Sequence, residues 1–168
     1  RYKSPTKFGG SAMMSLLGAS AHLEGITKDK KLSFLFGLRY KSNAYLLGSL
    51  DKKGEYNPNF LDIQTNIIYQ PSPKTELELL LGLSNNKFSF TPETQSTTTG
   101  AFNQVLRLSV YFDGSESSYF NNRMGGLAFK FKPNSKSIYK IVGSAWQLNE
   151  SENYNIIGEY YLDEIESN

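Results

Sequence analysis

The chain has 168 residues, 39% of them hydrophobic and 20% charged, with a formal net charge of +2. That apolar content excludes a disordered chain, and 18 Lys and Arg scattered against 16 Asp and Glu leave no nucleic-acid-binding footprint. With no cysteine and only His22 as histidine, disulfides, thiol chemistry, Cys-ligated metal sites and multi-histidine metal motifs are excluded.

Tyr and Phe, 11 each, and 14 Gly give a strand-and-turn composition. Residues 1–10, polar with Pro5, Gly9 and Gly10, read as an N-terminal arm or loop. Residues 11–24 read as one strand. Leu17, Ala19, Ala21 and Leu23 share a face opposite Gly18, Ser20, His22 and Glu24. Thr27-Lys28-Asp29-Lys30 marks a hairpin turn. Leu32, Phe34, Phe36, Leu38 and Tyr40 then alternate with Ser33, Gly37, Arg39 and Lys41. A longer connection over 43–58 holds Gly48, Gly54 and Pro58. Leu61, Ile63, Thr65, Ile67 and Tyr69 oppose Asp62, Gln64, Asn66 and Gln70, and Pro71-Ser72-Pro73-Lys74 stops that strand.

The clearest pattern is Leu77, Leu79, Leu81 and Leu83 against Glu76, Glu78, Leu80 and Gly82, with an extension through Lys87 to Phe90. Residues 91–100 and 113–123 read as loops. Leu106, Leu108, Val110 and Phe112 oppose Arg107, Ser109 and Tyr111 between them. Leu127, Phe129 and Phe131 form the next apolar face, Pro133-Asn134-Ser135 a short turn, and 137–148 and 154–162 the last strands. The sum is about eight strands, no helix, and an antiparallel meander over 11–163. Residues 164–168 read as the start of a loop or a fragment end. The chain begins at Arg1 rather than Met and so reads as processed or as a piece of something longer.

Large apolar residues on one face, small and polar ones on the other, and tyrosines near strand ends (Tyr40, Tyr45, Tyr69, Tyr119) point to a segment of an outer-membrane β-barrel. The connections do not alternate strictly between short and long, so either the strand count differs near residues 85–101 or the short-turn rule fails locally. His22, Arg39, Glu76, Glu78 and Arg107 are the lumen-facing candidates. His22 reads as a wall residue with a satisfied hydrogen bond. Glu76 and Glu78 share a face about 7 Å apart and read as a hydrated wall rather than an acid–base pair. Arg39 and Arg107 read as lumen salt-bridge partners of these glutamates or of a plug. Trp146 and the tyrosines read as interface anchors, and Gly48, Gly54 and Gly114 as turn glycines. No nucleophile elbow or metal motif appears, so no catalytic residue, metal or cofactor is assigned, and no enzyme activity is expected.

Leu16-Leu17-Gly18-Ala19-Ser20-Ala21-His22-Leu23-Glu24-Gly25, Gly54-Glu55-Tyr56-Asn57-Pro58-Asn59-Phe60 and Glu152-Asn153-Tyr154-Asn155-Ile156-Ile157-Gly158-Glu159-Tyr160-Tyr161-Leu162 resemble barrel segments of TonB-dependent receptors of the Bacteroidetes type. The resemblance implies about a third of a barrel in the bacterial outer membrane. It implies transport of a solute, and contact with lipid, with the rest of the barrel and with a plug. It also implies coupling to the TonB complex through an N-terminal region outside this chain. The reading open beside it is a complete small eight-stranded barrel or sandwich acting as a binding or structural module.

Overall fold

The computed structural model describes residues 5–43, 47, 54–101 and 104–165. Tyr45 and Gly48 lie outside the described residues, as do 1–4 of the expected arm and 166–168 of the expected terminal loop. Eleven strands run through the described residues: β1 (Gly9–Ser15), β2 (Gly18–Ile26), β3 (Leu32–Ser42), β4 (Gly54–Tyr56), β5 (Asn59–Ser72), β6 (Thr75–Pro92), β7 (Gln95–Ala101), β8 (Gln104–Asp113), β9 (Glu116–Phe131), β10 (Tyr139–Tyr154) and β11 (Ile157–Ile165). The all-β, antiparallel expectation holds at that level.

The barrel expectation does not. The main sheet has the order β1-β2-β3-β5-β6-β9-β10, with β4 beside β6, and a second sheet has the order β11-β8-β7. Strands β1 and β10 stand at opposite edges and do not pair with each other, so the sheet is open. The meander is also interrupted. Strand β6 pairs with β9, and the β7–β8 hairpin between them goes to the second sheet.

Three local readings change as well. Residues 11–24 are two strands, because the chain turns at Leu16-Leu17 and enters β2 through Gly18 at φ +148°. The expected loop at 91–100 contains β7, whose Thr97 faces Leu108 and whose Thr99 faces Leu106. The expected loop at 113–123 is mostly the first half of β9, paired on both sides by Lys87↔Tyr119 and Tyr119↔Ser151.

The hairpin turns follow from their residues. At Thr27–Lys30 the Lys30 amide donates to the Thr27 carbonyl at 2.8 Å, and Lys30 takes φ 57°. The Asp29 carboxylate accepts from the Lys31 amide at 3.2 Å. At the β5–β6 turn the Ser72 hydroxyl accepts from the Lys74 amide at 3.3 Å.

Register aligns the apolar faces across the main sheet. Phe34, Ile67, Leu79, Leu127 and Gly143 stand in one row, and Phe36, Thr65, Leu81, Gly125 and Ala145 in the next. This apolar side is left uncovered: Leu127 is 55% exposed, Leu83 50% and Leu81 43%. The more enclosed side is the polar one. Ser33, Asn66 and Ala128 are buried there, and Ala128 is the only buried hydrophobic among the described residues. Polar groups crowding one another across neighbouring strands shield that side, while nothing lies over the leucines.

The second sheet continues the first lengthwise. The β9–β10 ladder ends at Glu116↔Tyr154 and the β8–β11 ladder resumes at Asp113↔Ile157, in the same register. The break between them is held by a side-chain clasp. The Asn155 amide oxygen accepts from the Ser115 backbone N–H at 2.7 Å, and the Asp113 carboxylate accepts from the Gly114 N–H at 2.8 Å.

Candidate functional site

The polar side of the main sheet carries most of the side-chain hydrogen bonds that link neighbouring strands. It follows from the period-two pattern. Arg39 on β3, Asp62 on β5, Ser84 on β6 and Asn122 on β9 share one row. Arg39 binds Asp62 through Nε at 2.9 Å and Nη2 at 2.6 Å, and the Ser84 hydroxyl donates to the same carboxylate at 2.7 Å. Burial pushes the Asp62 carboxyl up, but the Ser84 and Arg39 hydrogen bonds outweigh it and hold it below its ordinary value.

Glu76 is served the same way. Lys130 Nζ lies 3.1 Å from one carboxylate oxygen and Gln70 Nε2 donates to the other at 2.6 Å. Burial raises this carboxyl too, and the Lys130 and Gln70 bonds with the charge of Lys132 bring it below its ordinary value. The two pairs differ in exposure. The Lys130 and Glu76 side chains are 18% and 23% exposed, whereas Arg39 is 67% exposed. Arg39→Gln is therefore expected to change stability by less than about 1 kcal/mol, read by urea denaturation.

Between these pairs the sheet has a notch. His22 on β2, Gly37 on β3 and Gln64 on β5 stand side by side. A hollow of about 160 Å³ opens there, lined by His22, Gly37, Gln64 and Asn66 with Leu35 and Leu80. Asn66 Nδ2 donates to Glu78 Oε1 at 3.0 Å, and its Oδ1 is buried without a partner. A second hollow of about 220 Å³ shares Gly37 and Gln64 and reaches the Arg39–Asp62 pair.

Of the residues singled out from sequence, His22, Arg39, Glu76 and Glu78 lie on this polar side. The expected pairing of arginines with glutamates is not formed: Arg39 takes Asp62, Glu76 takes Lys130 and Glu78 takes Asn66. Arg107 is apart from them, exposed on β8 between Thr98 and Asp163. Trp146 sits 67% exposed on the edge strand β10, opposite Met124. Asp62 and Asn66 belong to the polar face that the sequence pattern marks, but only the register reveals their partners. Among the described residues no cluster of three or more His, Asp or Glu is placed to hold a metal ion.

No protein-family model, no curated protein and no solved structure matches the chain. The resemblance to TonB-dependent receptors is overturned on that ground and by the two open sheets. Leu-, Gly-, Asn- and Tyr-rich segments at strand spacing occur in antiparallel sheets generally and carry no family by themselves. The solute-transport role, the bacterial outer-membrane location, the lipid and plug contacts and the coupling to the TonB complex rested on the barrel and the family, and fall with them.

Proposed function

We propose that the chain is a non-enzymatic structural and binding module. A second copy of the chain completes its apolar sheet face into a two-layer sandwich, and the polar side remains as the recognition face. The carrying observation is the uncovered row structure. Large residues such as Leu81, Leu83, Leu127 and Phe129 are exposed side by side, while Ala128 is the only buried hydrophobic among the described residues. A contiguous apolar surface beyond a few hundred Å² marks an interaction site.

Size and charge select a second copy. Seven strands at about 4.8 Å spacing and eight to ten residues at about 3.3 Å make a face of roughly 900 Å². Two such faces bury about 1,800 Å² in total, within the range of stable interfaces. Between the Leu32–Tyr69–Leu77–Phe129 row and the Leu38–Ile63–Leu83–Arg123 row, Arg123 is the only charged residue on that side. A nearly neutral patch is self-complementary in a two-fold dimer and needs no partner of opposite charge.

Sedimentation equilibrium tests this. The chain is expected to run as a dimer, and Leu127→Asp, which places two carboxylates at the interface, to weaken it at least about a hundredfold. A monomer in aqueous buffer, a chain dispersed only by detergent, or a dimer indifferent to Leu127→Asp would overturn the reading.

A further inference from the structure

Two cations face the apolar side of the main sheet from strands β3, β5, β6, β9 and β10: Lys87 and Arg123. Lys87 Nζ lies 5.3 Å from the centre of the Tyr119 ring and is engaged there. The Arg123 side chain makes no ion pair and no hydrogen bond among the described residues. The register explains why. The carboxylates of these strands, Asp62, Glu76, Glu78, Glu116, Glu150 and Glu152, all fall at even-numbered positions, which face the other side. Glu55, beside Thr91 on β4, already accepts from Asn57 at 2.9 Å. The neighbours of Arg123 in its own row are Leu83 and Gln147, and Gln147 donates to Asn149.

A hollow of about 210 Å³ opens at this unpaired guanidinium. Leu61, Ile63 and Leu83 form its apolar part. Arg123 closes its polar end together with Asn85 and Asn121, which stand opposite each other one row further along. Neither asparagine side chain has a hydrogen-bond partner among the described residues, and neither is buried, so both amides and the guanidinium are open to a ligand. The lining selects two properties at once. A guanidinium is always charged, and its planar fork matches a carboxylate through two parallel hydrogen bonds. The asparagine NH₂ groups add donors beside it. No carboxylate lines the hollow, so an anion meets no repulsion there and a cation finds no counter-charge. The aliphatic floor asks for more than a bare ion, since the volume is several times the roughly 30 Å³ that one water occupies in the liquid. No aromatic ring lines it to stack a sugar or a base.

We infer that this hollow binds a short aliphatic carboxylate. Its carboxylate accepts from Arg123, Asn85 and Asn121, and its alkyl chain lies over Leu61, Ile63 and Leu83. Arg123 stands on the last row of the face assigned to the second copy, and the asparagines stand one row outside it, so the head group sits on the rim of that face. Every residue the inference uses belongs to one chain, and it does not rest on the dimer. Sedimentation reads the association and the titration below reads the hollow, so each can fail without the other.

The probe is hexanoate, titrated into the isotope-labelled full chain at neutral pH and low salt and followed by arginine Nε–H and asparagine side-chain NMR shifts. Hexanol carries the same alkyl chain without the charge, hexylammonium carries it with the opposite charge, and acetate keeps the head group without the chain. Hexanoate is expected to shift Arg123 Nε–H and the Asn85 and Asn121 amides saturably, with a dissociation constant on the order of 1 mM. Hexanol is expected to bind at least about tenfold more weakly, through loss of the charge-assisted hydrogen bonds. Acetate is expected to bind at least about tenfold more weakly as well, through loss of the buried methylenes. Hexylammonium is expected to leave these signals in place. Arg123→Gln, at an exposed position, is expected to bring hexanoate down to the level of hexanol with the thermal midpoint unchanged. Four results would overturn the inference: no saturable shift with hexanoate; hexanol binding as tightly as hexanoate, as for a merely greasy hollow; acetate binding as tightly, as for an exposed cation that takes any anion; or hexanoate binding that survives Arg123→Gln.

Discussion

Gly114→Ala is expected to loosen the second sheet by about 2–5 kcal/mol, while leaving the centre of the main sheet in place. Gly114 has φ +91°, and a Cβ there would lie 2.2 Å from the Asn155 carbonyl oxygen and 3.0 Å from its Oδ1. The left-handed region costs an L-residue about 1–2 kcal/mol, and overlap with fixed backbone adds about 1–3 kcal/mol. Neither cost has a cheap escape. Moving Asn155 away breaks its bonds to the Ser115 amide and carbonyl, the clasp that joins the β9–β10 ladder to the β8–β11 ladder. Native-state hydrogen exchange separates this from general destabilisation. Amides of β8 and β11 are expected to exchange faster, and those of β5 and β6 to stay protected. Uniform acceleration throughout the chain would show that the two sheets unfold as one unit.

The break at Gly114 also illustrates what the sequence conceals. Alternation over Leu61–Tyr69 and Leu77–Leu83 was readable because one face is uniformly large and apolar. The same cue misled at residues 11–24, where Leu17 and Ala19 keep the alternation running across the turn that separates β1 from β2. It failed in the opposite sense at 95–101. A Ser/Thr run looks like a loop, yet β-branched threonines fit a strand once β8 supplies a partner. Alternation states that one side of a sheet is apolar and says nothing of what covers it, which is why a barrel wall and an open sheet read alike. The polar face was legible to the level of which residues share it. Arg39 and Asp62 lie 23 residues apart, and their bond depends on the β3–β5 register, a long-range property no local pattern encodes. The notch was invisible for the same reason: Gly37 looks like any strand glycine until His22 and Gln64 are set beside it.

Lys130→Met is expected to cost about 1–3 kcal/mol at pH 7, more than the loss of Arg39, because Lys130 and Glu76 are both mostly covered, whereas Arg39 is exposed and Asp62 keeps the Ser84 hydrogen bond without it. Glu76 would keep only Gln70 and the distant charge of Lys132 against its desolvation. The pH dependence identifies the cause. In the wild type the Glu76 carboxyl titrates below its ordinary value of 4.5, so its contribution is fully present above that pH and is lost as pH falls through the folded value. Asp62, also lowered from its ordinary 3.8, adds a loss in the same direction at lower pH. The wild type is therefore expected to lose stability on acidification from about pH 5 downward. In Lys130→Met the Glu76 share of that loss is gone, since protonating an unpartnered, desolvated carboxyl relieves the strain instead of adding to it. The two unfolding midpoints, followed by urea denaturation from pH 7 to pH 3, should lie furthest apart at neutral pH and converge below the ordinary Glu value. A gap that stays constant with pH would assign the cost to lost methylene packing of the lysine stem and not to its charge.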